Sequence, residues 1–509
     1  MANRDNPVFL AVDLGAESGR VVAGTFDGER VRLEEVSRFS NGPVNVMGHL
    51  HWDVLRLWND IKAGLAKAAQ RYGRHIAGIG LDTWGVDYGL LDANDELLGN
   101  PCHYRDSRTD GMMERAFEKV SREAIFEATG IQFMQLNTLF QLVAMVEAHS
   151  PQLEMAHTLL MMPDLLNFWL TGRKANEFSD ATTSQCYDPR AGTWAYGMLE
   201  KLGIPTRIFR DGTGDRIVPP GTVLGTLLPS VADEIGLGAV PVIAPATHDT
   251  GSAVAAVPMN PEDAIYLSSG TWSLMGVESK VPIINAAMLA CNFTNEGGVD
   301  GTFRVLTNIM GLWLVQECRR EWQRAGEEHD YGEMVAMAAA APAFGPLIYP
   351  GDGRFFAPGD MTPRIRTFCR ETGQAIPETK GAVLRCALES LALEYRWVAE
   401  KLDALTGKRL RTIHIIGGGA KNELLDQFAA DATGRTVVTG PIEATALGNV
   451  LVQAIALGYI GSVAEGRDVV ARSFELKTFA PRDTAAWDAA YQRYLGIRDW
   501  GVGKSNRVS

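Results

Sequence analysis

The sequence predicts an α/β protein built from two related domains. Its 509 residues exceed the usual length of one domain. Residues 8–26 and residues 264–278 share one pattern, in which an apolar strand, a glycine-bearing polar turn and a second strand follow each other. A repeat of this kind indicates a duplicated domain with a cleft between the two copies. The predicted organisation is an N-terminal domain over 1–253, a C-terminal domain over 254–480, and a helix and tail over 481–509.

The composition is that of an ordinary globular protein and argues against several classes of partner. Hydrophobic residues make up 46% of the chain and charged residues 21%. The formal net charge of -13 argues against nucleic acid or an anionic membrane surface as the main partner. No apolar stretch is long enough to span a bilayer, and the N-terminus lacks the apolar region of a secretory signal. Scattered cysteines without a C-x-x-C motif indicate a reduced, cytoplasmic protein, which we expect to be a monomer or a homodimer.

The stretch P-A-T-H-D-T-G-S-A-V-A-A, residues 245–256, joins an apolar strand to a small-residue helix. His248 and Asp249 lie on the turn between them, beside Thr250. A carboxylate at such a junction, with small neighbours that leave room for a ligand, can accept a proton from a hydroxyl that attacks a phosphate. The alternative is that Asp249 only caps a helix starting near Ser252. The glycine turns elsewhere in the chain favour the catalytic interpretation.

The first glycine turn lies in V-F-L-A-V-D-L-G-A-E-S-G-R-V-V-A-G-T-F, residues 8–26. A dinucleotide-binding or Walker loop would open a helix after its glycines, whereas β-branched residues follow here from Val21. The predicted hairpin turn would present backbone N–H groups and Ser18 to a phosphate. Asp13 would repel that phosphate unless a bound Mg²⁺ offset the charge. The alternative is an ordinary hairpin turn.

The motif T-W-G-V-D-Y-G, residues 83–89, follows an apolar strand at 76–82. An aromatic ring next to glycine beyond a strand end suits a sugar platform, with Trp84 covering a C–H face and Gly85 allowing the backbone to approach. A buried tryptophan with structural glycines is an equally good interpretation of this segment taken alone.

The second glycine turn, in the run A-I-Y-L-S-S-G-T-W-S-L-M-G-V-E, has Gly270 and Thr271 at its tip and predicts a second phosphate hairpin. Residues 412–416 predict a strand that leads into G-G-G-A-K-N and then a helix from Glu423. Glycine removes side chains where a flat base or a phosphate lies against the backbone, so this arrangement favours nucleotide binding.

The segment N-I-M-G-L-W-L-V-Q-E-C-R-R-E-W, residues 308–322, predicts an amphipathic helix. Asn308 and Gln316 lie eight residues apart, close enough to the helical period to share a face. On an otherwise apolar face these amides would need hydrogen-bonding partners, and a ligand could supply them.

The order of the motifs is more specific than any one of them. D-L-G-A-E-S-G-R, H-D-T-G-S-A, S-S-G-T-W-S, G-G-G-A-K-N and A-T-A-L-G-N follow one another along the chain. This order resembles the FGGY carbohydrate kinases of the actin–hexokinase–Hsp70 superfamily, over most of the chain. The resemblance implies two actin-like, ribonuclease H-like domains with an interdomain cleft, and ATP-dependent phosphorylation of a sugar hydroxyl.

The resemblance, together with the patterns above, assigns roles to residues. Asp249 is the expected catalytic base, and Asp13 and Asp249 are the expected Mg²⁺ ligands, directly or through water. The expected sugar contacts are Trp84, Gly85, His248, Asp249, Thr250 and Asn308. The expected ATP contacts are Ala16, Glu17, Ser18, Gly19, Arg20, Gly270, Thr271, Gln316, Gly418 and Asn422. Glu17 stands where this loop usually carries serine, and a carboxylate beside phosphates is unfavourable unless it points to solvent or to metal.

Further sequence resemblances within the family narrow the choice of sugar. T-W-G-V-D-Y-G, Y-R-D-S-R-T-D-G-M-M and N-I-M-G-L-W-L-V-Q-E-C resemble the branch of the family that acts on the 1-hydroxyl of L-rhamnulose. Another ketose or polyol, such as L-fuculose, L-xylulose or glycerol, is the alternative, because a few contacts decide stereochemistry. A non-kinase ATPase of the actin or Hsp70 type would share the two hairpins but would need no sugar contacts.

Overall fold

A computed structural model describes residues 6–210 and 217–508, with side chains described as far as residue 502. The strands of this part are β1 (Val8–Leu14), β2 (Ser18–Phe26), β3 (Val31–Ser40), β4 (Pro43–Val46), β5 (His49–Trp52), β6 (Ile76–Thr83), β7 (Tyr88–Leu91), β8 (Thr158–Met161), β9 (Asn176–Glu177), β10 (Tyr187–Asp188), β11 (Thr193–Trp194), β12 (Ile217–Val218), β13 (Thr222–Thr226), β14 (Pro241–Ala244), β15 (Ala264–Ser269), β16 (Trp272–Ser279), β17 (Thr294–Gly297), β18 (Phe303–Met310), β19 (Thr412–Ile416), β20 (Thr436–Thr439) and β21 (Lys477–Phe479).

The helices of the same residues are α1 (Val54–Tyr72), α2 (Met112–Lys119), α3 (Arg122–Thr129), α4 (Thr138–Glu147), α5 (Pro151–Met155), α6 (Met162–Thr171), α7 (Phe178–Thr183), α8 (Tyr196–Lys201), α9 (Arg207–Arg210), α10 (Pro229–Ile235), α11 (Asp249–Ala255), α12 (Ala286–Cys291), α13 (Trp313–Arg324), α14 (Tyr331–Ala340), α15 (Met361–Glu371), α16 (Lys380–Thr406), α17 (Glu423–Thr433), α18 (Ala444–Ala456), α19 (Val463–Ser473) and α20 (Thr484–Val508). Short 3-10 turns lie at Gly73–His75, Ser107–Thr109, Gly353–Phe355 and Gly418–Lys421.

The chain divides into two compact units, each assembled from separate stretches of sequence. Unit 1 comprises Met1–Pro258, Glu278–Val305 and Glu443–Phe474. Unit 2 comprises Met259–Val277, Leu306–Ile442 and Glu475–Ser509. The sequence-based boundaries after residues 253 and 480 remain predictions.

The six-stranded sheet of unit 1 has the strand order β13-β14-β6-β1-β2-β3. Strand β6 runs parallel to both β1 and β14, while β2 runs antiparallel to β1 and β13 antiparallel to β14. The carboxyl ends of β1, β6 and β14 therefore lie at one edge of the sheet, which is where open α/β sheets place their ligands.

Strand β1 is buried on both faces, and its alternation decides what each face contacts. Val8, Leu10, Val12 and Leu14 pack into a core that includes Leu57, Ile61 and Leu65 of α1. Phe9 and Ala11 pack into a second core with Leu447, Val450 and Leu451 of α18. Successive side chains of a strand point to opposite faces, so a continuous apolar run is the expected sequence of a strand covered by helices on both sides.

Unit 2 repeats the sheet pattern of unit 1. Its strands β16, β15, β19, β20 and β21 are hydrogen-bonded neighbours in that order. The first pair and the last pair are antiparallel, and the two central pairs are parallel. Strands β2, β1, β6, β14 and β13 of unit 1 follow the same sequence of directions. The duplication predicted from the two hairpins is thus confirmed at the level of topology.

One predicted element is wrong. Asn308 lies in strand β18, and helix α13 begins only at Trp313, so residues 308–322 are not a single helix. The segment 303–310 is rich in β-branched and apolar residues, and the sheet gives these residues partners that a helical pattern read from sequence alone does not reveal. Asn308 and Gln316 therefore do not share a helix face.

Two bulk expectations concern membranes and thiols. In the part of the chain that the structure describes, no helix combines the length and the apolar character needed to cross a membrane. All six cysteines, each within the described residues, are free thiols, including Cys369 and Cys386.

Candidate active site

Three carboxylates lie at the carboxyl edge of the unit 1 sheet. Asp13 near the end of β1 is the register partner of Asp82 near the end of β6. The N–H of Thr83 donates to the carbonyl oxygen of Thr247 at 2.8 Å, which joins the end of β6 to the turn that carries Asp249. Asp82 was not singled out from the sequence. Its signal was available, since L-D-T closes an apolar strand just as V-D-L does at Asp13.

Asp82 is fully buried. Burial raises its pKa well above the ordinary value, and the neighbouring charges of Asp13 and Asp249 raise it further. One carboxyl oxygen accepts a hydrogen bond of 2.5 Å from the Asn449 side chain of α18, and the other has no protein partner. The three carboxylates therefore disfavour one another's ionised forms, which is the usual effect of like charges that share a site.

Asp13 has a cationic partner within its own hairpin. Nε and Nη2 of Arg20 donate to Oδ2 of Asp13 at 2.9 and 2.7 Å, and Arg20 also forms an ion pair with Glu443. Burial raises the pKa of the Asp13 carboxyl, and Arg20 opposes that rise. Arg20 therefore offsets part of the negative charge of Asp13, and the expected Mg²⁺ contact stays a prediction.

The turn between β1 and β2 is the predicted hairpin, not the start of a helix. Leu14 pairs with Gly19, and the Gly15 N–H donates to the Ser18 carbonyl oxygen at 2.9 Å. Ala16 is half-buried and the Glu17 side chain is exposed. Packing requires glycine at position 19, because a Cβ there would overlap the Phe39 ring.

Asp249 is the first residue of α11, one place after the N-cap His248. Its Oδ1 accepts from the Thr250 N–H at 2.7 Å, which is a contact with its immediate neighbour and not a cap of a helix starting near Ser252. The side chain is 27% exposed. Burial raises its pKa to about 6, with His248 lowering it and Asp13 raising it. A base with a pKa near neutrality is well matched to proton transfer at physiological pH.

The turn before Asp249 is held by buried acceptors from another element. Oε2 of Glu177 accepts from the Thr247 N–H at 3.0 Å and from the Thr247 hydroxyl at 2.7 Å. The His248 N–H donates to Oγ of Ser179 at 3.1 Å, and that serine in turn donates to Glu177. Sequence reasoning did not identify Glu177. It fixes the backbone on which the predicted base and its neighbours stand.

Trp84 is a buried structural tryptophan, and its ring is not open to a sugar. It is 6% exposed, its ring stacks on Trp52 with centroids 3.9 Å apart, and its Nε1 donates to Asp87 at 3.0 Å. Gly85 is half-buried, and a Cβ there would lie 3.0 Å from the Thr183 side chain. Gly85 is thus less buried than Trp84, and its contact with the sugar stays a prediction.

The residue after Gly85 has an unusual backbone. Val86 has φ of 69°, a left-handed conformation that is strained for a β-branched side chain. Its N–H donates to Thr183 Oγ1 at 3.0 Å, and its carbonyl oxygen accepts from Thr138 Oγ1 at 2.6 Å. Strain of this kind persists only where surrounding contacts hold it, and it is found most often at ligand sites.

In unit 2, two predicted ATP contacts lie together. Gly270 and Thr271 form the tip of the hairpin between β15 and β16. The Thr271 hydroxyl donates to the side-chain oxygen of Gln316 at 3.1 Å. The carbonyl oxygen of Thr271 also accepts from the backbone N–H of Trp313 at 3.2 Å, which ties the tip to the start of α13. Asn308 is half-buried in β18.

The triple glycine follows β19 as predicted, and its three members differ. Gly417 and Gly419 approach Ser269 so closely that a Cβ at either position would clash with it. Gly418 is exposed, and a Cβ there would meet nothing within 4 Å. Asn422 caps α17, since its Oδ1 accepts from the Leu425 N–H at 3.1 Å. Gly418 is thus the member that leaves open space for a ligand.

Two family models together match most of the chain. Residues 8–256 match the N-terminal domain of the FGGY family of carbohydrate kinases, and residues 265–457 match the C-terminal domain of the same family. The chain belongs to the FGGY family of carbohydrate kinases. It is therefore a phosphotransferase that uses ATP and acts on a sugar hydroxyl, as the resemblance had implied.

Curated relatives of this FGGY kinase are similar over almost their full length. A protein named rhamnulokinase from Bacteroides thetaiotaomicron is 47% identical over 483 residues, which cover 95% of this chain and 98% of the relative. A second rhamnulokinase, from Oceanobacillus iheyensis, is 43% identical over 92% of this chain and 98% of its own.

Solved structures of a xylulose kinase and a glycerol kinase share the fold. A xylulose kinase from Lactobacillus acidophilus superposes with a TM-score of 0.83 at 16% identity, over 99% of this chain and 100% of the other. A glycerol kinase from Plasmodium falciparum, solved with ADP, superposes with a TM-score of 0.75 at 15% identity, over 98% of each chain. These likenesses show the two-domain α/β fold, and they bear on the fold alone.

Proposed function

We propose that this enzyme transfers the γ-phosphoryl group of ATP to the 1-hydroxyl of L-rhamnulose, forming L-rhamnulose 1-phosphate. The observation that carries the proposal is the full-length similarity to proteins named rhamnulokinase, at 42–47% identity. A site built for one pattern of hydroxyls discriminates strongly against analogues that leave its polar groups unpaired, so relatives this similar favour the same ketose.

In this proposal Asp249 is the general base. Its carboxylate is partly exposed at the carboxyl edge of the sheet, and its pKa of about 6 leaves it ionised in most molecules at neutral pH. It accepts the proton of the 1-hydroxyl as that oxygen attacks the γ-phosphorus. His248, Thr250 and Gly85, which the sequence assigned to the sugar, contact it in this proposal.

The acidic edge fits a divalent cation. In the described residues no group of three or more His, Cys, Asp or Glu is arranged to hold a metal ion. Mg²⁺ does not need such a group, because it keeps several waters and binds through one or two carboxylates and the substrate phosphates. The mutual repulsion among Asp13, Asp82 and Asp249 favours a cation there. We assign Asp13 and Asp249 to Mg²⁺, which would neutralise phosphate charge when bound.

The nucleotide contacts in this proposal come from glycine turns. The turn at residues 16–18 and Thr271 at the second hairpin tip are proposed to offer backbone N–H groups, the usual means of holding phosphates. The Gly270 N–H already donates to the Trp272 carbonyl oxygen at 2.8 Å, so Gly270 would contact the nucleotide without that donor. The hydrogen bond between Thr271 and Gln316 orders two further polar side chains. Gly418 offers an exposed backbone surface against which a nucleotide can lie.

A panel of sugars tests the substrate. Purified enzyme is incubated with Mg²⁺, ATP and one of L-rhamnulose, L-fuculose, L-xylulose or glycerol, and ADP release is followed by a coupled assay. We expect kcat/KM to be highest for L-rhamnulose, with the product phosphorylated at position 1. A higher value for another acceptor would refute the proposed substrate but not the kinase activity. Sugar-independent ADP release at the same rate would refute both.

We also propose that the enzyme acts in the cytoplasm, as a monomer or a homodimer.

A further inference from the structure

Arg304 of β18 is a fully buried arginine whose charge is balanced within unit 1. Its side chain is 0% exposed. Nη2 donates to Oε2 of Glu296 at 3.0 Å, and Nε donates to the carbonyl oxygen of Gly297 at 2.9 Å. Although burial disfavours its charged form, Glu296 has a lowered pKa, chiefly because Arg304 stabilises the carboxylate. The pair is therefore an ionised, hydrogen-bonded unit at the end of a strand.

The remaining donors of Arg304 reach the two residues that flank Asp249. Nη1 donates to the Thr250 hydroxyl oxygen at 2.7 Å, and Nη2 donates to Nδ1 of His248 at 3.0 Å. One planar guanidinium thus contacts both predicted sugar neighbours. Because the arginine is completely buried, it does not present a surface to the sugar, and any effect on the reaction must pass through these two side chains.

The contact with His248 decides which ring nitrogen carries the proton. A guanidinium has only donors, so Nδ1 of His248 accepts from Arg304. Oε2 of Glu296 also lies 3.4 Å from Nδ1, but this oxygen receives the shorter hydrogen bond of Arg304. The proton of a neutral ring is then on Nε2, which lies 3.4 Å from Oδ1 of Asp249. The imidazole therefore turns its N–H toward the carboxylate of the base.

The contact with Thr250 decides the direction of a hydroxyl. Its oxygen lies 3.2 Å from each nitrogen of His248. Neither nitrogen can accept, because Nδ1 is occupied by Arg304 and Nε2 carries hydrogen. The Thr250 oxygen itself accepts from Arg304, so its O–H hydrogen is left for an acceptor outside this group, and Thr250 is half-buried.

We propose that Arg304, held by Glu296, is a positioning residue for sugar phosphorylation, which fixes the Nε2–H tautomer of His248 beside Asp249 and aims the Thr250 hydroxyl at a sugar oxygen. The inference rests on the proposed function, in which His248 and Thr250 contact the sugar. Donors fixed in advance lose less conformational entropy on binding, so the expected benefit is in sugar affinity and in the alignment of the attacking hydroxyl.

The first experiment separates sugar binding from ATP binding. We expect Arg304→Gln to raise the KM for L-rhamnulose at least 10-fold and to lower kcat, while the KM for ATP changes less than 2-fold. Arg304→Lys keeps the charge but not the two-pronged geometry, and it should recover part of the sugar KM. If Arg304→Gln raised both KM values equally, or left the sugar KM unchanged in a folded protein, the positioning role would be wrong.

The second experiment is a double-mutant cycle with Thr250→Val, which removes the hydroxyl and keeps the shape. Because Arg304 acts through Thr250, the double variant should have a sugar KM no more than about 2-fold above that of the worse single variant. Independent effects would instead multiply, and that outcome would overturn the proposal. Glu296→Gln keeps the arginine in place, and it should give a smaller increase in sugar KM.

Loss of a buried ion pair also affects folding, so a matched control is needed. Arg435 is similarly buried and donates to Asp403 at 2.5 Å in unit 2. Arg435→Gln should lower the melting temperature without changing the sugar KM. If Arg304→Gln does not fold, the cycle is run with Glu296→Gln and Thr250→Val, and multiplicative effects would again refute the inference. An inactive wild type on L-rhamnulose would refute the proposed substrate instead, and the cycle would then use whichever ketose the panel identifies.

Discussion

Replacing Asp249 by asparagine should make the protein more stable while it abolishes catalysis. Burial holds the pKa of this carboxyl at about 6 instead of its ordinary 3.8. A difference of about 2 pKa units corresponds to roughly 3 kcal/mol of destabilisation of the ionised form at neutral pH. That figure is an upper one, because the side chain is 27% exposed. Asparagine has no charge to bury and keeps the oxygen that accepts from the Thr250 N–H.

The stability difference between the wild type and Asp249→Asn should depend on pH. A carboxyl whose pKa is raised on folding contributes no destabilisation below the unfolded value, near pH 4, where it is protonated in both states. The wild type then loses stability relative to Asp249→Asn as the pH rises toward about 6, and the difference is constant above that. We expect the variant to gain about half of the full difference by pH 5 and all of it by pH 7.5.

The assay is thermal or urea unfolding of both proteins from pH 5 to pH 8, with Asp233→Asn as control because Asp233 is an exposed carboxylate of α10. Loss of a general base should lower kcat by about 10²–10⁴-fold, with the ATP dissociation constant little changed. In the wild type, kcat/KM should fall as the pH drops below about 6. Near-normal turnover by Asp249→Asn would refute the base, and an unchanged stability difference across this pH range would refute the burial argument.

Three other expectations follow from particular contacts. Gly448→Ala should destabilise by about 1–3 kcal/mol or more in unfolding experiments, because its Cβ would overlap the Ser252 carbonyl oxygen; Gly197→Ala, whose Cβ meets nothing within 4 Å, is the control. Neither carboxyl oxygen of Asp426 has a hydrogen-bond partner, and burial raises its pKa to about 8. The stability advantage of Asp426→Asn over the wild type should therefore grow with pH up to about 8 and then stay level. A stability difference that did not depend on pH would contradict this. Glu177→Gln should lower kcat at least 10-fold with little change in the KM for ATP. The glutamine NH₂ group cannot accept the hydrogen bonds that Glu177 receives from the N–H groups of Ser179 and Thr247. Unchanged kinetics would show that these hydrogen bonds are not needed to position Asp249.

The sequence by itself determined the local elements and their order. Residues 412–416 were predicted as a strand and a helix was predicted from Glu423, and the structure has β19 and the start of α17 at these same residues. Both glycine-bearing hairpins were also predicted, and with them the duplication. These features are local or periodic, so they can be read without knowing what packs against them. The order of the motifs was enough to imply a carbohydrate kinase, and the family models confirm it.

Only the tertiary structure decided which polar and aromatic residues serve the site. Trp84 has a sequence context that suits a sugar platform, yet Trp52 covers its ring from 32 positions away. Asn308 was assigned to a helix, and pairing within a sheet makes its segment a strand. Glu177 and Arg304 carry no local motif, and Asp82 only repeats the strand-end pattern of Asp13. Each of the three has its partner far along the chain. Their importance comes from burial and from hydrogen bonds between distant segments, and these exist only once the chain has folded.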